Sequence, residues 1–154
     1  MKIVLVHPQI PQNTGNIIRT CVAVGASLAL VPPYGFSISD RYMKRAGLDY
    51  VPSFPIEEID DIEKYLENSS SFFLFSSKGK VAYTDVTYQK DSMLIFGSET
   101  TGIPEKIMEK WADRLVTIPM EQECRCLNLS NACAIAAYEM RRQVLPFSCK
   151  NRGK

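Results

Sequence analysis

A chain of 154 residues with 45% hydrophobic content is long enough to bury one core, so a single domain spanning residues 1–154 is expected. A formal net charge of +1, from 18 basic and 17 acidic residues, excludes a broad basic field that coats nucleic acid and leaves room only for local patches. No apolar run approaches the ~20 residues of a membrane span, and Met1-Lys2-Ile3-Val4-Leu5-Val6 is too short for a signal peptide, which points to a cytoplasmic protein without a membrane partner.

In chain order, residues 2–7 form a short apolar run, the pattern of a strand buried on both faces. Residues 8–16 are turn-rich, and helix signals then run from Ile17 to Val24, closed by Gly25 as a C-cap. Asn13 or Thr14 is the expected cap of that helix, and Asn16, Arg19, Thr20 and Ala23 share one side of it. Arg19 stands among the apolar neighbours Ile17, Ile18, Cys21 and Val22. An arginine so placed either reaches solvent or works near the preceding loop, which makes it the first candidate for chemistry.

Residues 27–31 read as the next strand, ended by the turn Pro32-Pro33-Tyr34-Gly35. Ser39-Asp40 is placed to cap a short helix through Arg45-Ala46 that Gly47 ends, and Arg41, Lys44 and Arg45 make a basic cluster there. A second cluster, Arg141, Arg142, Lys150, Arg152 and Lys154, lies toward the C-terminus. Residues 49–54 suggest a strand that Pro52 puts at an edge, and residues 57–68 an acid-rich surface helix. Phe72-Phe73-Leu74-Phe75, within 71–76, marks a buried strand, with the basic turn Lys78-Gly79-Lys80 just beyond its end.

Residues 92–96 form another apolar strand that runs into Gly97-Ser98-Glu99-Thr100-Thr101-Gly102-Ile103-Pro104. A glycine at each end of this loop lets the backbone come close to a ligand, with Glu99 between them. A helix to about Lys110 and a strand over 114–118 follow. After Pro119 a polar loop leads into the last helix, whose start holds Asn128, Ser130 and Asn131, residue types that accept from the free N–H groups of a first turn. This polar cluster admits two readings, a well-capped core helix or a group that faces a ligand. Leu129, Ala132, Cys133, Ala136 and Met140 fall at helical spacing, and so small an apolar face packs tightly, against the preceding loop or a second copy of the chain.

Strands alternating with helices imply an α/β domain with a mostly parallel sheet, in which ligands bind beyond the carboxyl ends of strands. Three polar loops meet that description, 13–19, 97–104 and 120–131. The dinucleotide fingerprint, the P-loop and the nucleophile elbow are all absent. Five cysteines, Cys21, Cys124, Cys126, Cys133 and Cys149, are an odd number that fits reduced thiols better than a disulfide framework. Cys124-x-Cys126 lacks a second matching pair and the only histidine is His7, so no metal site is expected. Spacing and periodicity thus define a pocket and no reaction.

Three ordered motifs supply one. "NTGNIIRT" at 13–20, "FGSETTGIP" at 96–104 and "IPM…RCLNLSNA" at 118–132 resemble the three motifs of the SPOUT-class tRNA 2'-O-ribose methyltransferases. With Lys44-Arg45-Ala46-Gly47-Leu48-Asp49-Tyr50, the likeness extends over nearly the whole chain to the small single-domain branch, the tRNA (cytidine(34)-2'-O)-methyltransferase family. The resemblance implies a fold no spacing rule proposes, an α/β domain whose C-terminal segment threads a loop to form a trefoil knot. It implies a homodimer, S-adenosyl-L-methionine as methyl donor without a metal, and the wobble nucleotide of a tRNA anticodon stem-loop as substrate, cytidine or modified uridine.

Carried over residue by residue, the cofactor contacts fall on Phe75, Gly97, Ile118, Cys126 and Leu127, largely through backbone groups. Arg19 matches the arginine that activates the ribose hydroxyl. A guanidinium with a pKa above ~12 rarely acts as a base, so it positions the hydroxyl or passes its proton through an RNA phosphate. Asn16 and Glu99 are expected to orient that arginine or its loop, and Ser130 and Asn131 to support the third motif, while the small-residue face of the last helix packs across the dimer. Tyr138 matches a tyrosine near the substrate nucleotide, and Lys78 and Arg45 are the cations expected on the RNA. Ser98 and Thr101 stand where the family pattern has proline and arginine, and Cys124 and Cys126 where it has serines. The alternatives are an rRNA 2'-O-methyltransferase and a knotted RNA- or cofactor-binding protein without catalysis.

Overall fold

The computed structural model describes residues 1–37 and 54–145. The helix expected to end at Gly47, residues 49–53 of the expected edge strand, Arg41, Lys44, Arg45, Cys149 and the tail cations Lys150, Arg152 and Lys154 lie outside the described residues.

The strands are β1 (Lys2–Val6), β2 (Ser27–Val31), β3 (Ile56–Glu58), β4 (Phe72–Phe75), β5 (Val81–Ala82), β6 (Met93–Phe96) and β7 (Leu115–Thr117). The helices are α1 (Pro11–Val24), α2 (Ile62–Glu67), α3 (Glu105–Lys110) and α4 (Leu129–Val144). Among the described residues the strands form one sheet in the order β3-β2-β1-β6-β4-β7-β5, and every pairing is parallel. Residues 3–6 of β1, 28–31 of β2 and 93–96 of β6 are all buried, because helices cover both faces of the central strands.

Alternation along β1 sorts its side chains into two cores. Ile3 and Leu5 join Ile17, Ile18 and Cys21 of α1 and Cys133, Ala136 and Met140 of α4. Val4 and Val6 join Ile62 and Leu66 of α2 and Ile107 and Met108 of α3. Full burial of one such aliphatic side chain contributes about 1.5–3 kcal/mol, and this division fixes which helices lie on which face.

β2 and β3 lie on one side of β1 and the later strands on the other, so the strand order reverses beside β1. Beyond the carboxyl ends of strands at such a reversal the connecting loops splay apart and leave a crevice. After β7 the chain must return to α4, which packs on α1. Residues 118–128 therefore cross the ends of β4 and β6.

Three expectations need correction. The helix assigned to 17–24 begins at Pro11, with Ile10 as N-cap and no side-chain cap of its own, so neither Asn13 nor Thr14 caps it. Residues 57–68 hold two elements rather than one helix. Ile56–Glu58 is the edge strand, Phe54 lying before it, and α2 begins only after Asp61, whose side chain accepts from Lys64 N–H at 3.1 Å. The small-residue face of α4 packs on α1 of the same chain, where Cys133, Ala136, Ala137 and Met140 are buried, and is not available to a second copy. No described helix is long and apolar enough to cross a membrane.

Candidate functional site

The loops that follow β4, β6 and β7 surround a cavity of about 520 Å³ at the carboxyl end of the sheet. That volume lies in the range of small-molecule sites. Phe75, Phe96, Ile103, Met108, Ile118 and Leu127 give it apolar walls. Gly97, Glu99, Lys78, Cys126 and Asn128 bring backbone and polar groups to the same space.

The loop after β6 is closed on itself. A Cβ at Gly97 would lie 1.9 Å from the carbonyl carbon of Gly102, and Gly102 adopts a left-handed φ of 70°. Only glycines let those two backbone segments touch. Ser98 N–H donates to Gly102 O at 3.2 Å and Gly102 N–H to Ser98 O at 3.0 Å. The Ser98 and Thr101 hydroxyls lie 2.7 Å apart, and Thr101 N–H donates to Ser98 Oγ at 3.1 Å. The glycine pair thus serves loop closure first, and Gly97 also lines the cavity.

Glu99 leaves this loop toward the start of α1. Its Oε2 accepts from Gln9 N–H at 2.8 Å, and its Oε1 accepts from Ile10 N–H at 3.2 Å and from the Asn13 side-chain amide at 2.9 Å. A carboxylate on the free N–H groups and positive end of a helix is favourable, so Glu99 caps α1 from another part of the chain. Asn13, only 5% exposed, accepts on Oδ1 from Asn128 Nδ2 at 2.9 Å. Asn128 in turn caps α4, its Oδ1 accepting from Ser130 N–H at 2.9 Å, Ser130 Oγ at 2.7 Å and Asn131 N–H at 3.4 Å. One hydrogen-bonded line, Glu99 to Asn13 to Asn128 to Ser130, joins the three motif segments.

The residues expected at the site divide into two groups. Phe75, Gly97, Ile118, Cys126, Leu127, Glu99 and Lys78 line the cavity, with Lys78 also paired to Glu105 at 3.5 Å. Asn16, Arg19, Asn131 and Tyr138 are exposed on helix surfaces, Ser130 is half-buried at the start of α4, and none of them lines the cavity. Asn13, expected only as a local helix cap, and Asn128, for which both a capping and a ligand-facing reading stood open, together carry the network. The available signal was that each stands at the head of its motif, in "NTGN" and "NLSNA".

Two thiols lie in the core behind the site. Burial pushes Cys21 up to about 12. Burial, then the nearby Cys21 and Glu99, hold Cys133 well above the usual thiol range. Both are neutral packing groups at physiological pH. Cys124 and Cys126 are exposed in the loop after β7. Among the described residues no three His, Cys, Asp or Glu side chains come together in a way that could hold a metal ion.

Comparison with known proteins bears on what this arrangement does. Residues 1–138 match the family described as SpoU rRNA Methylase. The tRNA (cytidine(34)-2'-O)-methyltransferase of Escherichia coli (strain K12) is 40% identical over 147 residues, which is 94% of this chain and 94% of that protein. A structure solved for insight into the 2-OH methylation of C/U34 on tRNA superposes with a TM-score of 0.85 at 38% identity, covering 92% of this chain and 94% of the other. An AdoMet-bound rRNA methyltransferase from Sinorhizobium meliloti superposes with a TM-score of 0.83 at 28% identity, over 94% of this chain but 57% of its own.

Proposed function

The chain belongs to the SpoU rRNA methylase family, and from that premise we propose that it transfers a methyl group from S-adenosyl-L-methionine to the ribose 2'-hydroxyl of the wobble nucleotide of tRNA, cytidine or a modified uridine. The observation that carries this reading is the convergence of all three motif segments on one cavity, tied together by Glu99, Asn13 and Asn128. Similarity to a tRNA enzyme over 94% of both chains at 40% identity, against 28% identity with the rRNA relative, favours tRNA over rRNA.

The cavity suits the proposed donor. Its walls offer apolar surface for an aromatic base, and the loops at Gly97, Cys126 and Leu127 offer backbone groups for its polar edges. Phe75, Gly97, Ile118, Cys126 and Leu127 would hold it. The bound sulfonium supplies an already activated methyl group, so the protein's contribution is mainly alignment of the attacking oxygen. Arg19, whose guanidinium has only donors to offer, positions the ribose hydroxyl and its neighbouring phosphate rather than acting as a base. Asn16, one helical turn before it, and Asn131 and Ser130 at the start of α4 complete the polar surround, while Tyr138 and Lys78 meet the anticodon stem-loop.

Arg19 and Tyr138 are exposed on helix faces outside their own cavity, which supports a homodimer in which one copy's α1 completes the partner's site. Val22, Ile135 and Tyr138, 41%, 37% and 47% exposed, offer the apolar part of such a contact. We further read the crossing of 118–128 over the strand ends as the closing pass of a trefoil knot.

Methyl transfer to tRNA lacking ribose methylation, read by nucleoside mass spectrometry, tests the proposal. The unmutated protein is expected to methylate the wobble ribose, and Arg19→Ala to bind S-adenosyl-L-methionine normally while losing product formation. Cofactor binding without product on any tRNA would overturn the assignment.

A further inference from the structure

Cys124 and Cys126 differ from the chain's buried thiols in everything that governs reactivity. Cys21 is 0% exposed, as is Cys133, and both are shut in by α1, α4 and the sheet. Cys124 and Cys126 are exposed, as is every residue from Glu121 to Cys126. Among the described residues the hydrogen bonds holding this stretch are few: Cys124 N–H donates to Glu121 O at 2.9 Å, and Cys124 Sγ lies 3.7 Å from Cys126 O. The first sulfur is therefore already folded toward the residue that carries the second.

The two cysteines face different spaces. Cys126 lines the main cavity, whereas Cys124 lines a neighbouring depression of about 370 Å³ shared with Ser77, Gly79, Thr117 and Pro119. Residues two apart in extended chain are separated by ~6.6 Å between Cα atoms, inside the window that a disulfide bridges. Joining the sulfurs needs one side chain to turn across the strip between the two spaces, and the sparse hydrogen bonding leaves little to oppose that turn.

We infer that Cys124 and Cys126 form an oxidation site, at which a hydroperoxide such as hydrogen peroxide makes a Cys124–Cys126 disulfide that reshapes the cavity wall. This rests on the reading of the main cavity as the S-adenosyl-L-methionine site. One thiolate attacks the peroxide, so an S–O bond forms, the O–O bond breaks and the departing hydroxide takes up a proton as water. The second sulfur then displaces the sulfenic hydroxyl, an S–S bond forms and a second water leaves. Two electrons pass from the sulfurs to the peroxide, and two waters account for its oxygens. A disulfide between residues so close in sequence is strained and exposed, the kind that a dithiol readily reduces. The oxidised loop pulls Cys126 off the cavity wall, where its backbone is proposed to meet the cofactor.

The test uses the full chain carrying Cys149→Ser, so that the product is assigned to one pair. After hydrogen peroxide, intact and non-reducing peptide mass analysis is expected to show loss of two hydrogens confined to the peptide holding residues 124 and 126. S-adenosyl-L-methionine affinity by calorimetry is expected to weaken about tenfold, and dithiothreitol to restore it. Cys124→Ser in the same background is expected to show neither the hydrogen loss nor the reversible change in affinity. Added oxygens without a cross-link, a cross-link between chains, a cross-link with unchanged affinity, or the same reversible loss in Cys124→Ser would each overturn the inference. Failure of the reduced protein to bind S-adenosyl-L-methionine overturns the cofactor reading instead, because the cross-link is read by mass independently of binding.

Discussion

The two loops that wall the cavity are built on opposite plans. Residues 97–104 close on themselves through a glycine contact and a lattice of backbone and hydroxyl hydrogen bonds, and Glu99 anchors them to α1. Residues 118–127 cross the strand ends with 121–126 exposed and, among the described residues, little internal bonding before Asn128 fastens them to Asn13. The first wall is finished by the fold, and the second is left to be shaped by its ligand. A preformed wall sets what fits, and an adaptable one lowers the barrier to entry and closes afterward.

The largest expected effect comes from spoiling the finished wall. Gly97→Ala puts a methyl group 1.9 Å from the backbone carbonyl carbon of Gly102, so a loss of about 3 kcal/mol is expected. Denaturant unfolding would measure it, and a variant as stable as the parent would show that the loop is adaptable after all. Next in size is the alkaline response of the core beneath both walls. Cys21 is raised from 9.0 to about 12 and Cys133 is raised as well, so folding favours their protonated forms. This stability is complete below pH 9 and is lost as pH climbs toward 12, by about 1.4 kcal/mol per pH unit for Cys21, and Cys133 acts in the same direction. Melting scans from pH 8 to pH 11 should fall accordingly, and Cys21→Ala should flatten the slope.

Glu99→Ala removes the remote cap of α1. About 2 kcal/mol is expected, or roughly 6 °C in melting temperature, with faster hydrogen exchange in the first turn of α1. Unchanged exchange there would show that the carboxylate is not what holds the helix start. The smallest effect distinguishes the walls without mutation. S-adenosyl-L-methionine should slow amide exchange in 120–127 and leave the amides of Ser98, Thr101 and Gly102, already hydrogen-bonded, nearly unchanged. Equal protection of both loops would dissolve the contrast.

Much of the architecture was legible because a parallel sheet covered on both faces needs apolar strands, and β1, β2, β4 and β6 carry such runs. β5 escaped notice because two residues carry no period. β3 reads as part of a helix in sequence because Glu57 and Glu58 lie at an exposed edge, where Glu57 meets Lys2 at 2.6 Å and strand composition is not enforced by burial. The true start of α1 was hidden for a different reason: its cap is supplied from 90 residues away, and local rules look for a side chain within the turn. The same distance effect concealed Asn13, which looked like a local cap and is a buried junction. The cavity lining followed from the motif likeness, whereas the placement of Arg19 and Tyr138 outside that lining depends on which helix faces the sheet covers.

The remote cap also bears on how the chain is made. When residues 9–13 leave the ribosome, the carboxylate that will hold them has yet to be translated, 90 residues later. At the usual pace of synthesis that interval is roughly 5–20 s. Through it the first turn of α1 has neither a local cap nor its eventual one, so the nascent segment has good reason to stay open. An open N-terminal segment is what a later stretch of chain needs if it is to be laid across the strand ends before Asn13 and Asn128 join and seal the crossing.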